Sequence, residues 1–536
     1  MGKGASDLMF ATLSLTTESP SKLQYAALEN GKHSIEAYPC HHPTSRKLPK
    51  QQKEVHPPNW VLLLTYCNFV VLFLVFSVKT VIKEVVDLIK NMILGYASPT
   101  PPGFAPVIAN DLEAFLHRHF YPHMQECFHR PITDAPGAYL TLLERVQENG
   151  EMKLTGETQK VLNLSSYNYL GFAESSGRVV DAVEDAVATY GITVCSPRME
   201  LGTLDLHSQV EALVARFVGQ EAAVVVSMGF ATNSTTLPAI VEKGCLVVSD
   251  SLNHASLVYG CRLSGASIRP FKHNNMRSLE KVLRDGIANG QDGRGSKSYK
   301  PWKKILVVVE GLYSMEGTIC PLPQILELKR KYNFFLYVDE AHSIGAIGPK
   351  GRGVCDYYGI NPREVDILMG TFTKAFSSAG GYISGSKALI NRIRLYNHSS
   401  LYGEAMSIPV LQQIYSSMTI IMGEDGTNEG QRRIQNLARV TRRFRDGLKR
   451  MGFIVLGHDD SPVVPIIVCQ PCKFVPFSQE LLAKGIAVVM ACFPATAITE
   501  PRCRLCLSAA HTMEDIEKAL VSISEAGDKL DLKFLA

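Results

Sequence analysis

Five short runs rich in β-branched residues recur between residues 222 and 369, and this recurrence constrains the fold more than any other feature of the sequence. Each run is followed by a glycine or polar turn and then by apolar residues at helical spacing. Strands that alternate with helices in this way predict a mostly parallel β-sheet covered by helices. The runs are AAVVVS (222–227), CLVVS (245–249), KILVVVE (304–310), FFLYVD (334–339) and VDILM (365–369).

Polar residues with reactive side chains follow these runs. The segment MGFATN opens a helix after the first run, and the free N–H groups of a first helical turn suit an anion. His254 follows the second run, Asp339 ends the fourth, and His342 comes three residues after Asp339. Lys374 follows the fifth run, between threonines and a glycine pair. Because ligands bind at the carboxyl ends of the strands in such sheets, we expect these groups to converge there.

These groups match the needs of one cofactor, pyridoxal phosphate. A lysine amine bonds to its aldehyde, and a strand-end carboxylate such as Asp339 keeps its pyridine nitrogen protonated. A helix start together with the hydroxyls of Thr371 and Thr373 would hold its phosphate. The sequence therefore predicts a pyridoxal-phosphate enzyme in which Lys374 carries the cofactor.

Several other classes of protein are disfavoured. The segment DEAH at 339–342 invites comparison with a helicase box, but no GxxxxGK[ST] phosphate loop precedes it. A formal net charge of +4, with 20% charged residues, gives no basic field for nucleic acid. The glycine-rich segment GAIGPKGRG (345–353) lacks the dinucleotide-binding fingerprint, so we expect it to form turns.

The cysteines offer a possible metal site. Cys469 and Cys472, and then Cys503 and Cys506, are spaced like the two halves of a zinc ribbon. Both pairs lie in segments that read as strands, where positions i and i+3 point to opposite faces. We therefore expect buried packing cysteines, no bound metal and no disulfide framework.

The N-terminal part of the chain predicts a membrane anchor. Residues 1–59 are polar and aperiodic, which is typical of disorder. Trp60 to Val78 form a run of nineteen residues without a charge, which is long enough to cross a bilayer. The following segment, to residue 96, has apolar residues at helical spacing with lysines between them, like an interfacial helix. A buried core helix is the alternative.

The remaining chain divides into three parts. Residues 97–160 read as a linker followed by the N-terminal part of a small domain, and residues 161–430 as the large cofactor-binding domain. From 431 to 536 a long amphipathic helix, RRIQNLARVTRRFRDGLKRMGF, leads into a strand, PVVPIIV, and we assign this part to the small domain.

Longer motifs identify a family. SDSLNHASLVYGCRLSGA, VEGLYSMEGTICPL, YVDEAHSIGAIGPKGRGV and GTFTKAFSSAGGYI resemble the α-oxoamine synthases, which are fold-type I pyridoxal-phosphate enzymes with a large and a small α/β domain. Within that family, VCSPRMELGTLDLH, FKHNNMRSLEKVL and FPATAITEPRCRLCLSAAHT resemble the lysine-bearing, subunit 2 type of the serine palmitoyltransferases. The resemblance covers roughly residues 110–535.

The resemblance implies roles for the reactive side chains. Lys374 would bond to pyridoxal phosphate and later act as the base that removes the α-proton of serine. Asp339 would pair with the pyridine nitrogen, and His342 would contact the phenolic oxygen. His254 would stack on the face of the cofactor ring.

The resemblance also implies how the phosphate and the amino acid are held. Gly229, Phe230 and Thr371 would bind the phosphate. Arg504 would grip the carboxylate of the amino acid, a bidentate task that suits a guanidinium group. Asn168 matches an asparagine that the family presents near the partner's site.

The implied reaction is a decarboxylating condensation of L-serine with a long-chain acyl-CoA to give 3-ketosphinganine. The implied partners are a lysine-lacking subunit 1 type chain and small regulatory membrane subunits, with no nucleic acid. The implied location is the endoplasmic reticulum membrane, with the catalytic domain facing the cytosol. Other α-oxoamine synthases, such as an aminoketobutyrate ligase, and a non-catalytic scaffold subunit are the alternatives.

The lysine loop departs from the family pattern. Relatives usually carry Ser-Phe-Gly-Ala after the lysine, where this chain has Ala375, Phe376, Ser377 and Ser378. Because glycine adopts unusual backbone angles at little cost, its loss predicts a strained loop or an altered approach for the acyl-CoA.

A second departure concerns oligomeric state. Relatives read Tyr-Ala-Thr-Ser where this chain has Tyr402, Gly403, Glu404 and Ala405. In homodimeric relatives a hydroxyl group of this segment reaches the partner's cofactor phosphate, which a glutamate would repel. Glu404 therefore favours a heterodimer with a chain that binds no cofactor.

Overall fold

A computed structural model describes residues 57–94, 124–148, 151–291, 293, 299–493, 495–497 and 500–535. The disorder predicted for residues 1–59 concerns positions that, up to residue 56, lie outside these ranges. Most of the predicted linker, residues 97–123, also lies outside them.

The strands of the described residues form three sheets: one of seven strands and two of three. The strands are β1 (Tyr139–Glu148), β2 (Glu151–Asn163), β3 (Ala222–Val226), β4 (Leu246–Asp250), β5 (Ser267–Phe271), β6 (Ile305–Glu310), β7 (Phe335–Asp339), β8 (Ile367–Thr371), β9 (Gly381–Gly385), β10 (Val463–Ile467), β11 (Ile486–Ala487), β12 (Val489–Ala491) and β13 (Arg502–Cys506).

The seven-stranded sheet has the order β3-β9-β8-β7-β6-β4-β5. Only β9 runs against its neighbours, and the other pairs are parallel. All five predicted strands are confirmed, as β3, β4, β6, β7 and β8. The sequence did not predict β5 and β9, since SIRPF is mostly exposed at the sheet edge and GYISG begins and ends in glycine.

Helices cover both faces of this sheet, as predicted. Val225 of β3 belongs to one hydrophobic cluster, and its neighbour Val224 belongs to a second cluster on the opposite face. The helices are α1 (Asn59–Leu94), α2 (Arg178–Tyr190), α3 (Asp205–Val218), α4 (Gly229–Ile240), α5 (Ala255–Leu263), α6 (Met276–Asn289), α7 (Leu322–Tyr332), α8 (Gly353–Tyr358), α9 (Lys387–Tyr396), α10 (His398–Tyr402), α11 (Ile408–Met422), α12 (Glu429–Arg450), α13 (Phe474–Ala483) and α14 (Met513–Lys529).

The other described strands form two small sheets. The sheet β1-β2-β11 joins an N-terminal hairpin to a C-terminal strand, because Leu162 of β2 pairs with Ile486 of β11. The sheet β10-β13-β12 is antiparallel throughout. The predicted amphipathic helix and the strand after it are confirmed as α12 and β10. Segments from both parts of the chain thus build one small unit.

The apolar N-terminal segment is a single helix, α1, with no break near residue 78. No glycine or proline interrupts residues 59–94, so the predicted spanning and interfacial segments are continuous in this one helix. Its first turns contact the small unit, where Val61 packs with Ile454 and Ile467. Most of its large apolar side chains are exposed, and by length and composition it could cross a membrane.

The structure tests the predictions made for the cysteines and for the glycine-rich segment. Every cysteine that the structure describes is a free thiol. Cys469, Cys503 and Cys506 are buried, as expected, but the expectation is wrong for Cys472, which is exposed in a short 3₁₀ helix after β10. Within the described ranges, no three His, Cys, Asp or Glu side chains form a possible metal site. The segment 345–353 forms turns, as predicted, with Gly345 and Gly348 at φ of 74° and 91°.

Candidate active site

Lys374 lies in the turn between β8 and β9, at the carboxyl edge of the large sheet. Its Nζ atom is 5.6 Å from the centre of the Tyr167 ring. Burial lowers the pKa of the amine to about 8, although the carboxylates of Asp339 and Glu310 act in the opposite direction. A substantial fraction of the amine is therefore neutral near physiological pH, as a nucleophile or base requires.

Asp339 ends β7, and its side chain is 3% exposed. Asn233 of α4 donates from Nδ2 to Asp339 Oδ2 at 2.7 Å, and Tyr337 donates in turn to Asn233 Oδ1 at 2.6 Å. The backbone N–H of Ala341 donates to Oδ1 at 2.8 Å. These donors hold an acceptor in a fixed orientation, which suits a protonated pyridine nitrogen.

His254 is the N-cap residue of α5, and its Nδ1 accepts from the backbone N–H of Ser256. The backbone N–H of His254 donates to Glu310 Oε1 at 2.5 Å. Its ring centre is 6.3 Å from that of Phe230, and both residues line the same cavity. Partial burial, and then the charge of Lys374, lower the pKa of the imidazole, so it is neutral at pH 7.

His342 is buried in the loop after β7. Its Nδ1 is 2.7 Å from the hydroxyl of Tyr169, and its ring contacts Tyr167 edge-on at 5.3 Å. Burial, followed by the charges of Lys374 and Arg504, lowers the pKa of the imidazole well below its usual value. His342 is therefore a neutral hydrogen-bonding group beside the lysine.

The start of α4 and the loop after β8 form an anion cradle. Thr371 Oγ1 and Thr373 Oγ1 are 2.9 Å apart. A Cβ atom added to Gly229 would lie 3.2 Å from Thr371 Oγ1, so a side chain there would enter the cradle. The free N–H groups of the first turn of α4 suit a phosphate, and Phe230 follows in the same turn. The residues present thus fit the phosphate of the predicted cofactor.

Arg504 of β13 is 6% exposed, and its guanidinium carbon lies 4.5 Å from the centre of the Tyr167 ring. Its Nε is buried and has no hydrogen-bond partner within the described part of the chain. Arg502, two residues earlier, is fully engaged with Glu500 and the loop at Met315. Of these two arginines, Arg504 has the donor capacity to bind a ligand.

Asn168 is buried and engaged within its own chain. It donates from Nδ2 to the carbonyl of Pro136 at 3.1 Å and accepts at Oδ1 from the Ser377 hydroxyl at 2.8 Å. In this structure its amide contacts the lysine loop, whereas the resemblance places it near a partner's site.

Three neighbouring residues escaped the sequence analysis. The ring of Tyr167 lies beneath the cationic groups of Lys374 and Arg504. Glu310 accepts a hydrogen bond from the backbone of His254, and Asn233 donates one to Asp339. Glu310 had a usable signal, because it ends a predicted strand as Asp339 does. Tyr167 and Asn233 had no sequence signal of their own, apart from lying next to Asn168 and within the predicted helix start, respectively.

A cavity with a volume of about 2710 Å³ includes Phe230, His254 and Glu310 in its lining. It extends along Arg502 and Phe453 to Pro57, two residues before α1 begins. This cavity offers room for a substrate much larger than an amino acid.

Comparisons with known proteins agree with this geometry. The family model "Aminotransferase class I and II" matches residues 159–523. Serine palmitoyltransferase 3 of Homo sapiens is 50% identical over 434 residues, which is 80% of this chain and 78% of that protein. Serine palmitoyltransferase 2 of Schizosaccharomyces pombe is 44% identical over 539 residues, which is 97% of this chain and 87% of that protein.

Solved structures of serine palmitoyltransferases are also similar to this chain. A serine palmitoyltransferase of Sphingomonas wittichii has a TM-score of 0.66 and 27% identity, covering 80% of this chain and 99% of that one. An 8-amino-7-oxononanoate synthase of Francisella tularensis, at 22% identity and a TM-score of 0.56, covers 69% of this chain and 98% of that one and shares the fold. Fold and site thus define a fold-type I pyridoxal-phosphate-dependent transferase. Within that class, the chain belongs to the serine palmitoyltransferase family, and several of its relatives are subunit 2 proteins.

Proposed function

We propose that this chain is the catalytic, lysine-bearing subunit of a serine palmitoyltransferase. It would condense L-serine with palmitoyl-CoA or another long-chain acyl-CoA and form 3-ketosphinganine. A carbon–carbon bond forms between Cα of serine and the acyl carbonyl carbon, and CoA leaves as its thiol, which balances the proton removed from Cα. The bond from Cα to the carboxylate then breaks, carbon dioxide leaves, and Cα takes up one proton from solvent. The observation that carries the proposal is the buried Lys374 amine, which lies among Asp339, Glu310 and Arg504.

Side chains of this chain would hold each part of pyridoxal phosphate. Lys374 would bond to its aldehyde, Asp339 would accept from its pyridine nitrogen, and the first turn of α4 with Thr371 would hold its phosphate. When bound, this cofactor acts as an electron sink for the carbanion at Cα of serine. His254 would cover one ring face as a neutral imidazole.

Lys374 would also act as the general base. Its lowered pKa, about 8, allows the free amine to accept the α-proton of serine near neutral pH. Tyr167 favours one position of the amine, because the charged Nζ atom lies over its ring. His342 stays neutral beside the amine and therefore adds no repelling charge.

Arg504 would bind the carboxylate of serine. Its buried, unpartnered Nε leaves a charge-assisted hydrogen bond to be made, and the Tyr167 ring holds the guanidinium plane in place. An amino acid without this contact would be held only through its amine. Arg504 would thus orient Cα toward Lys374.

The acyl-CoA would enter through the main cavity. Its extension from His254 to Pro57 brings the site close to the start of α1. An acyl chain costs about 0.8 kcal/mol per CH₂ in water, so a membrane-bound enzyme suits this substrate. We place the chain in the endoplasmic reticulum membrane with its catalytic part in the cytosol, a location that rests on the family resemblance.

Glu404 supports a heterodimer. Its side chain is exposed, and its backbone pairs with Pro197 in an isolated bridge. A carboxylate that reached a partner's phosphate would repel it, which favours a lysine-lacking subunit 1 type partner. Small regulatory membrane subunits would join the same complex.

An absorbance spectrum tests this function. The chain would be purified with a subunit 1 type partner, and the visible band of lysine-bound pyridoxal phosphate recorded before and after L-serine. We expect a band that shifts with serine, is absent in Lys374→Ala, and persists in the control Lys387→Ala, which alters an exposed lysine on α9. A wild-type protein without the band contradicts the proposal and leaves the scaffold alternative.

A further inference from the structure

Ser377, three residues after Lys374, has a backbone angle that few residues adopt. Its φ is +50°, in the left-handed region, where a Cβ atom crowds the following carbonyl oxygen. Glycine would adopt this angle without that crowding. Such a conformation persists only where surrounding contacts hold it, and it is common at functional sites.

The contacts that hold Ser377 are specific. Its hydroxyl donates to Asn168 Oδ1 at 2.8 Å, and its backbone N–H donates to the carbonyl of Lys374 at 3.3 Å. Asn168 is itself fixed, because its Nδ2 donates to the carbonyl of Pro136. The Ser377 hydroxyl therefore meets an acceptor with a set orientation.

Asn168 belongs to a segment that is bound to the small sheets. The backbone N–H of Leu164 donates to the carbonyl of Ala487 at 3.0 Å, and the backbone N–H of Cys506 donates to the carbonyl of Leu164 at 2.9 Å. Farther along, the backbone N–H of Ala509 donates to the backbone carbonyl of Tyr169 at 2.7 Å. The lysine loop, in contrast, joins β8 and β9 of the large sheet. The Ser377–Asn168 hydrogen bond thus connects the lysine loop to the small unit.

The residues on both sides of Asn168 contact the reactive groups. Tyr167 lies under the amine of Lys374 and the guanidinium of Arg504. The hydroxyl of Tyr169 is 2.7 Å from His342 Nδ1. A shift of the lysine loop relative to this segment would therefore change how the amine lies over Tyr167.

We propose that Ser377 is a positioning residue for Lys374, because its hydroxyl fixes the lysine loop to Asn168 and so keeps the amine over Tyr167. This inference rests on the proposed function, since it concerns the lysine that would hold pyridoxal phosphate. It assigns a role to a side chain that touches neither the amine nor the anion cradle.

Ser377→Ala tests the proposal, because it removes the hydroxyl and keeps the crowded Cβ. Ser378→Ala is the matched control: the Ser378 hydroxyl belongs to the same loop but donates to the carbonyl of Val410 at 3.0 Å. The complex of each variant would be loaded with pyridoxal phosphate. Two quantities would be measured: the rate at which the cofactor dissociates, and the pH at which its visible band changes.

We expect Ser377→Ala to lose the cofactor roughly threefold to tenfold faster than wild type, as the loss of one hydrogen bond implies. The pH midpoint of its band should shift, whereas Ser378→Ala should match wild type in both measurements. Ser377→Gly should be affected less than Ser377→Ala, because glycine accepts the backbone angle.

Two outcomes would overturn the positioning role. If Ser377→Ala matches wild type, the hydroxyl does not position the lysine. If Ser378→Ala changes the dissociation rate as much as Ser377→Ala does, the effect belongs to loop stability in general. A missing visible band in the wild-type complex would instead contradict the proposed function, so the two failures are distinguishable.

Discussion

Arg504→Lys offers a sharp test of how the site would bind an amino acid. The substitution keeps the positive charge but removes the planar fork of donors, including the buried Nε that lacks a partner among the described residues. It also weakens the stacking on Tyr167, whose ring centre is 4.5 Å from the guanidinium carbon. We expect serine to bind more weakly while the cofactor remains bound.

The expected size follows from the bonds lost. A bidentate carboxylate contact becomes a single contact with an ammonium group, and a hydrogen bond to a charged group contributes about 1.5–3 kcal/mol. At about 1.4 kcal/mol per factor of ten, the Kd for L-serine should rise roughly 10- to 150-fold.

The Kd would be measured from the change of the visible band during titration with L-serine. Titration with 2-aminoethanol, which has the amine and hydroxyl but no carboxylate, provides a second ligand. Its affinity should be nearly the same in wild type and Arg504→Lys. Arg502→Lys is the matched variant: this arginine is engaged with Glu500 and the carbonyl of Met315, so its loss should reduce stability more than serine affinity.

Two results would refute the role of Arg504. An unchanged Kd for serine would mean that the carboxylate lies elsewhere. An equal loss of affinity for serine and 2-aminoethanol would mean that the substitution distorts the site around the amine.

Three further predictions concern stability and assembly. The pKa of Lys374 is about 8 in the folded protein against 10.5 unfolded, so the unfolded chain binds more protons between these values. The contribution of Lys374 to the stability of the cofactor-free protein should therefore rise by roughly 3 kcal/mol from pH 8 to 10.5, so urea unfolding should show wild type gaining about this amount relative to Lys374→Met over that range. Arg445 is 1% exposed and donates to the carbonyls of Ser461 and Leu456, so Arg445→Leu should lower the free energy of unfolding by about 3 kcal/mol in urea. The complex should contain one pyridoxal phosphate per heterodimer by mass spectrometry; a homodimer with two would contradict the interpretation of Glu404.

The large sheet could be predicted from the sequence because its strands are buried on both faces. Runs such as LVV and ILVVV are apolar at every position, which distinguishes them from surface strands. β9 could not be found in this way, since Gly381 and Gly385 leave too little apolar character. A Cβ atom at Gly381 would lie 2.6 Å from the carbonyl of Gly370, so close packing, and not β propensity, requires the glycine there.

Some residues of the candidate site could be predicted from the predicted strands, and others could not. Asp339 ends a predicted strand and His254 follows one, so their position in the predicted sheet indicated a functional role. Tyr167 lies in an irregular segment between β2 and α2, more than 200 residues before Lys374. Its contact with the lysine depends on long-range packing, which leaves no periodicity in the sequence. The sequence showed only that Ser377 replaces a glycine of the family pattern. Its hydrogen bond to Asn168 depends on the folded structure.

The segment Tyr167–Asn168–Tyr169 has a consequence for tolerance to mutation. In a strand at the surface, every second side chain faces solvent, so a scan of substitutions gives an alternating pattern. Here three consecutive side chains contact three different groups: the lysine amine, the Ser377 hydroxyl and the His342 imidazole. A scan should therefore show an unbroken triplet of intolerant positions, each failing through a different part of the site, in a stretch of chain that has no regular secondary structure.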